Sequence, residues 1–280
     1  MLAVFSERDW GAQAPKRSAG RRRPVLPYNG GRMRLLLAMV FVIGCDADFP
    51  IGAGAGLTPV TIGELVASTP GPDDPDGQAV LIHSAVIVAQ DTFDEVGNGR
   101  VGTIFLVDAG NEPGHGFQAF APQVNLSEVE TLDPGNLVDV TGTFVRFLGP
   151  RCDTMPNQCF TGGRTLPQLG MGAVVELVGF WQAPVALEVS LDAYRRNAAL
   201  YVGSLITLTD LEANEDYQPA SGGTRLAPFS TVQGVNVAAD LYRIPGVAQG
   251  VRIRRLTGIA SFFYSDFVMP RSAADVELAP

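Results

Sequence analysis

The residues able to do chemistry are few. The chain of 280 residues has two histidines and three cysteines, so hydrolytic and metal chemistry must be sought around those five positions. His83 lies inside an apolar run, Ala79–Ala89, and His115 sits in a turn, Pro113-Gly-His-Gly116. Phosphodiester hydrolysis at a metal needs several His, Asp, Glu or Asn side chains converging on one ion. Neither histidine has a second ligand at helical or strand spacing. Each is read as an ordinary packed or exposed imidazole. Asp73-Asp74-Pro75-Asp76-Gly77 has the carboxylate density of a calcium loop, yet Pro75 interrupts it and no bidentate Glu follows at the required spacing. An acidic solvated turn is the expectation. Gly52-Ala-Gly-Ala-Gly56 precedes any strand and is spacer, not a phosphate loop. No catalytic residue, metal site or cofactor site is assigned.

The cysteines divide into a pair and a single. Cys152 and Cys159 have six residues between them, in a segment with Pro156 and Asn157. In an oxidising compartment they form a small disulfide. A zinc site would need two further ligands, and none stands at ligand spacing. Cys45 closes the run Met33–Cys45, in which Arg34 precedes nine apolar residues, Leu35–Ile43, and Gly44. Nine residues rise only about 14 Å as a helix, whereas a bilayer core takes roughly 20 residues. The run therefore suits a signal-peptide core and not a membrane span. Val42-Ile43-Gly44-Cys45 resembles the bacterial lipobox, whose cysteine receives a diacylglyceryl group. That resemblance implies lipidation at Cys45 and a place at the cell envelope, facing the periplasm or the cell surface. The arginine-rich residues 1–32 fit a leader poorly, and initiation at Met33 is the favoured start. Arg21-Arg22-Arg23 has no apolar run directly after it, which discounts a twin-arginine signal.

Charge separates this leader from the rest. Eight of the 20 basic residues and two of the 29 acidic ones lie in 1–44, which leaves 12 basic and 27 acidic groups in 45–280. A body with a net charge of −15 repels a polyanion at long range, so nucleic acid is disfavoured as a partner. Two local features qualify this. Phe117, Phe120, Phe262, Phe263 and Tyr264 could stack bases, although aromatics at strand spacing more often fill a core. Arg252, Arg254 and Arg255 could form a basic patch, but strand alternation places Arg255 on the opposite face from the other two.

The elements that must position all of this are mainly β. Ala79–Ala89, Val101–Val107, Gly116–Ala121 and Leu137–Phe147 are rich in Val, Ile, Phe and Thr, with turn signals such as Gly97-Asn98-Gly99 and Asp133-Pro134-Gly135 between them. Thr61–Ser68 and Leu126–Leu132 are the locally helical stretches. The second half repeats the first. Leu137–Phe147 matches Ile253–Phe263 around a shared Thr-Gly at an offset of 116, and Ala173–Leu177 matches Ala274–Leu278 at 101. The difference of 15 residues is about what the cysteine loop adds. Val80–Gln90 is matched to Leu200–Asp210, with His83-Ser84 on Gly203-Ser204. The organisation expected is a leader over 1–44, a Gly- and Pro-rich tether over 45–59, and two small β modules over 60–180 and 181–280.

Five short strands per module is the strand count of an OB-type barrel. Thr61-Ile-Gly-Glu-Leu65 before the Gly77-Gln-Ala-Val80 strand, then Val140-Thr-Gly142 and a closing strand, resembles the exported OB-fold repeats of bacteria. Leu256–Leu278 is the closest local match. Such repeats accompany extracellular nucleases and occur in surface lipoproteins. The resemblance implies a fold more than an activity. The function expected is a non-catalytic binding or structural role at the envelope, with the membrane engaged through the lipid and an unidentified protein or glycan partner. The alternative is an accessory subunit that presents single-stranded nucleic acid or oligosaccharide to a separate hydrolase.

Overall fold

The computed structural model describes residues 56–94, 96–124, 131–216 and 229–280. The leader, Cys45 and most of the tether lie outside the described residues, as does nearly all of the helical stretch expected over Leu126–Leu132. The described residues belong to one compact unit.

The chain enters through a short strand, β1 (Pro59–Val60), and a one-and-a-half-turn helix, α1 (Ile62–Ala67). So short a helix forms only if its ends are satisfied. Here the Thr61 hydroxyl accepts from the Glu64 amide and the Glu64 carboxylate accepts from the Thr61 amide, a reciprocal capping box. Asp108 supplies two further acceptors, to the amides of Ile62 (3.2 Å) and Gly63 (3.1 Å). Ile62 and Leu65 then point into the core.

The barrel strands follow as β2 (Ala79–Asp91), β3 (Thr103–Val107), β4 (Gly116–Phe120), β5 (Asn136–Phe147) and β6 (Leu166–Leu169). They pair in the order β2-β3-β4-β6-β5, and β5 returns to β2, closing a five-stranded barrel. All these pairings are antiparallel except β4 with β6. This is the OB arrangement expected from the sequence. A last strand, β7 (Val174–Phe180), pairs with β5 on the outside. Inward residues make a core around Ile82, Ile104, Leu106, Leu169 and the stacked rings of Phe117 and Phe144, whose centroids are 6.1 Å apart.

The second half is built to the same plan. Strand β8 (Leu187–Glu188) and helix α2 (Leu191–Arg196), capped by Ser190, precede β9 (Leu205–Glu212), β10 (Phe229–Ser230), β11 (Asn236–Val237), β12 (Arg252–Phe263), β13 (Ser265–Met269) and β14 (Val276–Leu278). The order is β9-β12-β13-β11-β10, again with the third and fifth barrel strands parallel, and an Ala213–Thr231 bridge brings the end of β9 to β10. β5 and β12 occupy equivalent places at the expected offset of 116, and β7 and β14 at 101: Val140 pairs with Val175 as Leu256 pairs with Val276.

The third sequence block is placed wrongly by the repeat. Val80 faces Gly142, and the equivalent Gly258 faces Ile206. Val80 therefore corresponds to Ile206, six residues later than the match to Leu200. Ser84, a residue in the left-handed region at φ 55°, corresponds to Asp210, at φ 56°, and not to Ser204. In β2 this kink carries one extra residue between Ile82 and Ala85, a β-bulge that bends the strand around the barrel.

The two barrels meet through a third apolar cluster. Val86, Val88, Phe105 and Val107 of the first pack against Leu205, Ile259, Phe267 and Met269 of the second. Polar groups fix the contact. The buried Asn111 amide donates to the carbonyls of Val185 and Leu205 and its oxygen accepts from the Leu205 amide. The Gly114 amide donates to Leu200 at 2.7 Å.

Candidate functional site

Alternation along a strand sends every second residue outward. On β3 these are Thr103 and Phe105, on β4 Gln118 and Phe120, and on β6 Leu166 and Gln168. On β12 and β13 they are Ser261, Phe263, Ser265, Phe267 and Met269. In a solitary barrel such residues would face water. Here the two sets face each other across a cleft of about 790 Å³. That volume lies within the range of small-molecule sites, roughly 300–1,000 Å³.

Six phenylalanines and two methionines line the cleft. Gln118 and Gln168 satisfy each other through a buried hydrogen bond of 2.8 Å. Asp91 and Asp240 contribute the acidic groups, and among the described residues the lining holds no Arg, Lys or His.

The connection that carries the disulfide reaches the cleft through Pro150. Cys152 and Cys159 are bonded, within the connection from β5 to β6 that takes the place of the tight β12–β13 turn at Tyr264. This connection reaches across to the second barrel. Phe160 is buried and meets Phe147, Phe262, Phe263 and Tyr264 edge-on, with centroids 4.8–5.8 Å apart. The Tyr264 hydroxyl donates to the Gln158 carbonyl. Arg164 lies 3.7 Å above the Phe262 ring and pairs with both oxygens of Asp266, at 2.8 and 2.5 Å.

The other candidate residues do not converge on this site. His83 pairs with Asp139 and His115 with Asp108, each at 2.8 Å, and among the described residues no cluster of three or more ligating side chains forms. His115 packs over Gly63 while its carboxylate partner caps α1, so this pair holds the helix to the β3–β4 turn. The acidic turn is occupied by protein: Arg146 pairs with Asp74, and its amide donates to Asp76. Desolvation opposes ionisation of Asp74, but the Arg146 hydrogen bond, the Asp76 amide and the Arg146 charge together hold its carboxyl below the usual range.

The five aromatics separate. Phe117 is core, Phe120, Phe262 and Phe263 line the cleft, and Tyr264 packs on Phe160. The expected basic patch takes a different form. Pairing between β12 and β14 shifts between Ile253 and Arg255, so strict alternation fails and Arg255 is exposed beside Arg252 and Arg254. Each has an acidic neighbour: Glu212 for Arg252 at 3.7 Å, Glu277 for Arg254 at 3.1 Å and Glu188 for Arg255 at 3.2 Å.

Gln118, Gln168, Asp91 and Asp240 had no place in the sequence reading. The only signal was polar residues alternating with phenylalanine, as in Thr103-Ile-Phe105 and Gln118-Ala-Phe120.

No family model matches the chain, and no curated protein matches it. Among solved structures, similarity is found to an aspartyl-tRNA synthetase from Entamoeba histolytica, with 17% identity and a TM-score of 0.27 over 46% of this chain and 23% of that one. A putative aspartyl-tRNA synthetase from Leishmania major Friedlin gives 14% and 0.27 over 52% and 28%. A replication protein A heterotrimer bound to single-stranded DNA gives 12% and 0.24 over 70% and 50%. The chain thus spans about a quarter of the synthetases and half of the replication protein chain.

Proposed function

We propose that this is a non-catalytic binding protein, held at the cell envelope by a lipid on Cys45, whose binding site is the cleft between its two barrels. The observation that carries the binding role is the 790 Å³ cavity walled by six phenylalanines. Apolar surface remains accessible there: Phe263 is exposed and Phe120 and Phe147 are half-buried, whereas Phe105 and Phe267 are buried between the barrels. The envelope role rests on the apolar run ending at Cys45 and accords with the Cys152–Cys159 disulfide, a bond of oxidising compartments.

The single-stranded nucleic acid alternative has less support. OB barrels take oligonucleotides on the face of their second and third strands. In the first barrel that face carries Phe105 and Gln118, both buried against or toward the second barrel. The exposed arginines of β12 are each neutralised by a glutamate. A salt-dependent mobility shift with single-stranded DNA would reverse this preference.

Two measurements test the proposal. Cells given radioactive palmitate should label the protein, and Cys45→Ala should remove the label; persistent labelling of the variant sinks the anchor. The neutral dye N-phenyl-1-naphthylamine should brighten on binding the full chain and fail to do so with Ser265→Trp, which places an indole in the cleft from an exposed position.

A further inference from the structure

Two glutamines stand together in the wall that the first barrel gives to the cleft. Strands β4 and β6 run parallel, with Ala119 beside Leu169, so Gln118 and Gln168 project side by side. Phe105 is the cross-strand neighbour of Gln118, which sets a ring against the pair. Both side chains are more than nine-tenths buried, at 7% and 6% exposure. The Gln118 amide nitrogen donates to the Gln168 oxygen. That bond uses only half of what the pair offers, since every side-chain amide has an oxygen that accepts and a nitrogen that donates. Among the described residues, Gln118 Oε1 and Gln168 Nε2 have no hydrogen-bond partner, and neither is sealed from the cleft. Reversing both amides gives the same count, one acceptor and one donor left over. Unmet polar capacity in a largely apolar wall is costly, and a ligand that meets both atoms relieves the cost. Head groups differ in whether they can. An ionised carboxylate only accepts, so its lone pairs would oppose Gln118 Oε1. An ammonium only donates, so its protons would oppose Gln168 Nε2. A hydrocarbon would displace water from both atoms and return nothing. An amide carries an N–H and a C=O together, without charge.

We infer that the cleft takes hydrophobic amides, uncharged molecules with an apolar body that fits within about 790 Å³ and an N–H and C=O that answer the glutamine pair. The phenylalanines hold the body and the glutamines choose the head group. This rests on the cleft being the binding site, as proposed above. It names the ligand chemistry that the earlier reading leaves open.

2-Naphthamide, 2-naphthoate, protonated 2-naphthylmethylamine and 2-methylnaphthalene share one ring system and differ in the head group. Equilibrium dialysis against the full chain should show the amide bound at least about tenfold tighter than each of the other three. Replacing both partners together, Gln118→Leu with Gln168→Leu, should shrink the advantage over 2-methylnaphthalene below about threefold. Circular dichroism checks that this variant folds, and the parent series decides the matter if it does not. Any of the three analogues binding as tightly as the amide overturns the inference, as does a folded double variant that keeps the full preference. If N-phenyl-1-naphthylamine still binds and is excluded by Ser265→Trp, only the head-group selection fails. If neither the dye nor any naphthalene binds, the cleft as a site fails with it.

Discussion

Gly116 opens β4 where the first barrel touches the second. A methyl group built on it would lie 2.2 Å from the Ser204 amide nitrogen, 2.4 Å from the Gly203 carbonyl carbon and 2.6 Å from the Val202 carbonyl oxygen. All three are backbone atoms, so no flexible side chain can turn aside. Ordinary contact begins at 3.4 Å, and the two backbones must part by about 1.2 Å. Gly116 does not have a left-handed φ, so alanine is allowed locally and the cost is one of space. Forcing a methyl into packed structure costs about 1–3 kcal/mol. With backbone on both sides, Gly116→Ala should lie near the upper figure, about 3 kcal/mol. Urea unfolding followed by Trp181 fluorescence is the assay. Gly179→Ala, whose added methyl would stand 3.7 Å from its nearest neighbour, is the control and should leave the midpoint within error. The reasoning is refuted if Gly116→Ala unfolds within about 0.5 kcal/mol of the parent, a shift typical of an uninvolved surface site.

Phe160→Ala removes a buried ring that four others surround, and should cost about 3–5 kcal/mol in the same urea assay; a loss below 1 kcal/mol would mean that the loop does not clamp the second barrel. Reducing the Cys152–Cys159 bond opens an eight-residue loop and should lower stability by about 2.5 kcal/mol on the chain-entropy account, measured as a shift in urea midpoint with and without reductant. Asp94 accepts from the amides of Gly99, Asn98 and Gly97, the Gly99 bond being the largest influence, and its carboxyl sits below the ordinary 3.8. Its contribution is present above 3.8 and lost as pH falls through the depressed folded value. Asp94→Asn should therefore flatten the acid limb of a stability–pH curve below about pH 4, and an unchanged limb would refute the assignment.

The first barrel was legible because its strands are long runs of β-branched and aromatic residues cut by Gly, Pro and Asn. Ala79–Ala89 and Leu137–Phe147 lie within a few residues of β2 and β5. The disulfide was legible from the cysteine spacing taken together with the export signal. Slippage came where the sequence offers alternation without an anchor. The shared Thr-Gly pins β12 to β5, but β9 resembles β2 only in being apolar at every second position, and shifting such a pattern by six preserves it. The arginine face failed for a related reason, since an irregularity near Arg254 breaks the period of two. The cleft was illegible because residues that line it together, such as Phe105 and Phe267, are distant in sequence and share a site only when the barrels dock.

That docking sets a timetable for the chain as it is made. Val86, Phe105 and Val107 cluster with Ile259, Phe267 and Met269, and Phe160 finds Phe262–Tyr264 near the same end. Until β12 and β13 are made, the first barrel carries a bare apolar flank. Its cysteines, being local, are free to pair long before the rings they position have partners. A chain cut before β12 would keep every strand of its first barrel and still be sticky. Completion waits on β12 and β13.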